Sequence, residues 1–78
     1  MNRKIELKHV QFEIKDVSHP NLTMYRINVY YKKYNSKLQN EVDKFIRDNY
    51  PDHDCLKFGD SYLLRNVDYM DMAIKLRF

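Results

Sequence analysis

The side chains able to do covalent or metal chemistry are few in this 78-residue chain: one cysteine, Cys55, and three histidines, His9, His19 and His53. His53 and Cys55 stand two apart, so in an extended segment both point to the same side. A thiolate–imidazole nucleophile also needs a group to orient the base and donors to hold an oxyanion. Neither is identifiable. The tract Asp52-His53-Asp54-Cys55 gathers metal-ligand types, but a zinc site takes four ligands, usually as two separated pairs. The spacing of His9 and His19 does not complete such a set. The tract reads better as a solvated loop, with Cys55 a small core residue at the start of a strand. The single glycine, Gly59, excludes a glycine-rich phosphate loop. The expectation is a protein that is not an enzyme and has no metal and no cofactor. A small ribonuclease-type toxin working with His, Tyr, Arg and Lys alone is the third reading in order.

A second chemistry is binding by aromatic and basic side chains. In the β-rich segment 22–34, Tyr25, Ile27, Val29 and Tyr31 fall on one side. Arg26, Asn28, Tyr30, Lys32 and Tyr34 fall on the other. Tyrosine rings stack on bases, and Lys and Arg neutralise phosphates, so such a face suits RNA or single-stranded DNA. If the C-terminal segment is a strand of the same sheet with Met72, Ile74 and Leu76 inward, Lys75 and Arg77 join that face. The plain alternative is a solvated sheet surface. The order and Gly-aromatic signature of RNA-recognition sheets are absent.

These residues need elements to hold them. Residues 3–15 alternate, but Ile5 and Leu7 are one residue out of phase with Val10, Phe12 and Ile14. A period-two strand cannot shift phase without a bulge or bend, which places an irregularity at Lys8-His9. Residues 16–21 contain Pro20 and read as a turn. Ser36-Lys37-Leu38-Gln39 matches a capping box, and Leu38, Val42, Phe45, Ile46 and Tyr50 follow at helical spacing. Pro51 stops that helix. Burying Leu38, Val42, Phe45 and Ile46 is worth roughly 6–12 kcal/mol, less than the backbone entropy of a helix of about fifteen residues. The helix therefore needs a sheet. Residues 55–58 and 61–65 around Gly59-Asp60 read as a hairpin. In the last segment Met70, Met72, Ile74, Leu76 and Phe78 alternate with Tyr69, Asp71, Ala73, Lys75 and Arg77, a strand pattern.

The expected architecture is one domain over 1–78, of the α+β class. A single helix packs on one face of a mostly antiparallel sheet of four or five strands, in the order β-β-α-β-β-β, with hairpin partners adjacent. A helix of about 22 Å covers one sheet face only. The other must meet water, a second copy or a partner.

Composition sets the remaining bounds. The chain is 44% hydrophobic and 32% charged, a balance that suits a folded globule. The formal net charge of +3 is a mild bias that permits, without requiring, an acidic partner. A lone cysteine, a start that runs from Met1-Asn2-Arg3-Lys4 into an alternating segment, and no long apolar run point to a reducing cytoplasm, without membrane insertion. Phe, Tyr, Met, Ile, Asn and Lys dominate and Gly, Ala, Arg and Pro are scarce. That bias suits an AT-rich genome such as that of a bacteriophage or a low-GC bacterium. The expected function is a small binding or inhibitor module that docks on another protein, of a host or itself as a homodimer, through the uncovered sheet face or an edge strand. A nucleic-acid module using the Tyr/Lys/Arg face is the alternative, and no small-molecule substrate is expected.

Overall fold

The computed structural model describes residues 2–50 and 55–78, and only the backbone of Cys55. Seven elements follow in order: β1 (Arg3–Glu6), β2 (Val10–Asp16), β3 (Tyr25–Tyr31), α1 (Ser36–Asn49), β4 (Cys55–Phe58), β5 (Ser61–Leu64) and α2 (Met70–Arg77). The strands form one antiparallel sheet in the order β1-β2-β3-β5-β4. The α+β class and the antiparallel sheet are as expected. The single helix and the closing strand are not: the chain has two helices and ends in the second.

The phase shift near Lys8-His9 is a chain reversal rather than a bulge. Ile5 pairs with Phe12 and Arg3 with Ile14, and Leu7 N donates to Val10 O at 2.9 Å. A two-residue turn pairs odd with even positions, so the apolar set must change parity across it. Beyond that change of phase the hairpin lacks the usual turn signature, because the favoured two-residue turns need positive φ and hence Gly or Asn. Neither Lys8 nor His9 has positive φ. The β4–β5 hairpin has the usual chemistry, with Gly59 at φ +59° in the first turn position, where a side chain would be strained.

The first helix starts one residue earlier than a Ser36 cap implies. Asn35 Oδ1 accepts from the amides of Lys37 and Leu38 at 3.0 and 3.2 Å, the role of an N-cap. Gln39 instead donates to Asp60 at 3.3 Å. Val42, Phe45 and Ile46 are buried, with Leu38 and Tyr50 partly so, as the 3.6-residue stripe requires.

The last segment corrects the strand reading. Met70, Ile74 and Phe78 recur every four residues and turn inward; Met72 and Leu76 recur at the same interval and turn outward, 60% and 82% exposed. An alternation of five apolar residues thus contains two helical stripes. Met, Ala, Lys, Leu and Arg are good helix formers. Asp71 in the first turn and Lys75 and Arg77 in the last oppose the helix dipole favourably.

Both helices cover the same sheet face. Ile5, Val10, Phe12, Ile14, Ile27, Val29, Tyr62 and Leu64 from the strands form one core with Val42, Phe45, Ile46, Val67, Met70 and Ile74. Asp43 of α1 accepts from Tyr62 Oη of β5 at 3.1 Å and pairs with Lys57 of β4 at 2.9 Å. Arg3 of β1 pairs with Asp71 of α2 at 2.8 Å. The Phe78 ring stands 5.8 Å from Phe12 and 5.5 Å from Phe45, joining β2, α1 and α2.

Candidate binding surface

Strand register fixes which side chains share the uncovered face, because directly paired residues point the same way. One row runs Lys4, Glu13, Asn28, Ser61, Phe58 across all five strands. The next runs Lys15, Arg26, Leu63, Leu56 across β2 to β4. Tyr30 pairs with Gln11, which pairs with Glu6. The face is therefore graded. Its β1–β2 side is charged, its centre is polar, and its β5–β4 side is apolar.

The polar centre is internally satisfied. Lys15 Nζ lies 3.4 Å from Glu13 Oε1. Asn28 Nδ2 donates to the same oxygen at 3.3 Å, and Ser61 Oγ donates to Asn28 Oδ1 at 2.7 Å. The hydrogen bond from Asn28, more than the charges of Lys15 and Lys4, holds the Glu13 carboxyl below its ordinary range despite some desolvation. Asn28 is thus a cross-strand tie. Arg26 and Tyr30 flank it and line a shallow hollow of about 410 Å³ with Asp60 and Ser61.

Of the binding residues expected from sequence, Arg26, Asn28 and Tyr30 share this face, and Lys32 reaches its rim. Lys32 lies just past the end of β3 and pairs with Glu6 Oε2 at 3.3 Å. Tyr34 sits in the β3–α1 connection, 73% exposed, beside a different hollow. Lys75 and Arg77 are corrected: they belong to α2, on the side of the sheet that the helices cover. The Arg77 guanidinium rests 5.5 Å from the Phe78 ring centroid. The segment that would have placed both on the sheet is helical, for the reason given above.

Sequence reasoning missed the apolar end of the face. Leu56 and Phe58 are 56% and 57% exposed, and the partly exposed Leu63 lies beside Leu56 by register. Ser61-Tyr62-Leu63-Leu64 is too continuously apolar to show by alternation which side is inward. The signal was in the pairing: once Gly59-Asp60 is the turn, Leu56 must face Leu63.

The two sheet edges differ in the same sense. On β1, Arg3, Lys4 and Glu6 are charged, a common guard against strand addition. On β4 the one charged residue, Lys57, is turned to the helix side and held by Asp43, with its ammonium 5.9 Å from the Tyr62 ring centroid. Among the described residues no strand pairs with the outer edge of β4.

The tract 52–54 and the Cys55 side chain lie outside the described residues. Among those described, no group of three His, Cys, Asp or Glu side chains is placed to hold a metal ion, and no helix is long and apolar enough to cross a membrane. Comparison with protein-family models, curated proteins and solved structures returns no match. The functional reading therefore stands on geometry.

Proposed function

We propose that this protein is a binding module that docks another polypeptide at the β5–β4 end of its uncovered sheet face, with a strand of the partner added to the edge of β4. One observation carries the reading: Leu56 and Phe58, each more than half exposed, lie together along an edge strand whose only charge is turned away and paired. Exposed apolar residues gathered at an unguarded edge are the usual mark of strand-addition sites.

Magnitudes favour strand addition over flat docking. Covering the exposed parts of Leu56 and Phe58 recovers roughly 2–3 kcal/mol. Association itself costs at least about 4 kcal/mol. Main-chain hydrogen bonds along β4, at about 0.5–1.5 kcal/mol each, and contacts to Leu63 and Tyr30 supply what the two side chains lack. A domain that acts by covering a partner's surface needs no catalytic group, which suits an inhibitor.

The test is capture from nuclease-treated lysate by the wild-type protein, Leu56→Lys and Phe58→Lys, with Lys4→Ala as control, and sedimentation of each protein alone. The expected result is a nuclease-resistant partner, or a second copy, lost in both lysine variants and kept in Lys4→Ala, while each variant melts within a few degrees of wild type. Equal capture by all four proteins contradicts the proposal.

A further inference from the structure

Away from the sheet face, the β1–β2 turn and the β3–α1 connection enclose a second hollow of about 450 Å³, lined by His9, Lys33, Tyr34, Asn35, Lys37, Leu38 and Glu41. None of these residues belongs to the β4–β5 hairpin. Three basic side chains face one acid, and among the described residues neither Lys33 nor Lys37 has an ion-pair partner. The hollow is built by backbone ties. Lys32 N donates to His9 O at 3.1 Å, which fixes the turn against the connection. Asn35 caps α1, which fixes Tyr34 and Lys37 on either side of it. The Tyr34 ring is 73% exposed and stacks on no other ring among the described residues.

We propose that this hollow holds one nucleotide unit of a single-stranded nucleic acid. The base stacks on Tyr34 and on the apolar edge of Leu38, and Lys33 and Lys37 neutralise the flanking phosphates. Stacking on an aromatic ring beside cations is the sequence-tolerant way proteins hold single strands. The volume falls in the range of small-ligand sites. The sheet face, where the sequence offers such binding as the alternative to protein docking, is less suited: Asn28 is committed to Glu13 and Ser61, and Lys75 and Arg77 are elsewhere.

Fluorescence anisotropy with a labelled twelve-residue oligouridylate, titrated over a salt series, tests this directly, with uridine monophosphate as a second probe. Two phosphate contacts give a log–log salt slope near about −1.4. Tyr34→Ala weakens binding by about 5- to 150-fold and Tyr34→Phe restores it. Lys33→Ala with Lys37→Ala flattens the slope, and Lys75→Ala with Arg77→Ala, which removes the same charge elsewhere, leaves it unchanged. Circular dichroism melts confirm that each exposed variant is folded. No binding at low salt, or equal loss from the two double variants, overturns the proposal. Monophosphate binding as tight as that of the oligomer overturns the single-strand assignment in favour of a free nucleotide.

Discussion

Asp43 is the residue on which three elements converge. It accepts from Tyr62 at 3.1 Å and pairs with Lys57 and Arg47, each at 2.9 Å. Burial alone would raise its carboxyl pKa; the hydrogen bonds from Lys57 and Tyr62 and the charges of Lys57 and Arg47 more than reverse that and hold it below the ordinary carboxylate range. A folded pKa below the unfolded one adds stability that is complete above the unfolded value and is lost as pH falls through the folded one. Urea unfolding should therefore show the domain weakening from the ordinary carboxylate range downward, and less steeply in Asp43→Asn. At neutral pH Asp43→Ala should cost about 1–3 kcal/mol. At the alkaline end, burial first and then the charges of Asp60 and Asp43 push the Tyr31 hydroxyl up to about 12 from 10.0. The raised value means stability present below pH 10 and lost as pH climbs toward 12. Tyr31→Phe should blunt that loss, read by denaturation across this window.

Among the elements, those whose packing follows a single period were legible in the sequence. The stripe Val42, Phe45, Ile46 could only be a helix. Ile27 and Val29 turn inward as alternation requires, and Gly59 marks its turn. Two elements were not legible, for different reasons. Lys8-His9 reverses the chain without the residues that announce a reversal. Met70–Phe78 satisfies both the two-residue and the four-residue repeat, and periodicity alone does not decide between them. The site followed the elements: Arg26, Asn28 and Tyr30 were found because β3 was, Lys75 and Arg77 misplaced because α2 was not, and Leu56 and Phe58 overlooked because pairing rather than pattern exposes them. Paired substitutions separate helix from strand at the C-terminus. In the helix Ile74 is buried and Met72 is 60% exposed. Chemical denaturation should show Ile74→Ala costing about 2–4 kcal/mol and Met72→Ala within about 0.5 kcal/mol of wild type. A strand with both inward would make the two losses alike.

At the scale of the whole molecule, two helices bury their inward apolar stripes on one side of a five-stranded sheet. The other side is left graded from charge at β1 to hydrocarbon at β4. A small domain carries little stability to spare, so an unguarded apolar edge is a hazard unless it is used. The described residues extend about 37 × 23 × 21 Å, and the β4 edge is one end of the strand order. A partner strand there would extend the sheet without disturbing the core beneath α1 and α2. The hollow between the β1–β2 turn and the β3–α1 connection uses neither β4 nor β5, so the two proposals can be tested separately. Amide hydrogen exchange with the captured partner, or with the protein at self-associating concentration, tests strand addition most directly. Residues 56–58 of β4 should gain protection on binding while residues 3–6 of β1 keep their free rates; unchanged exchange at β4, or protection gained at β1 instead, would contradict it.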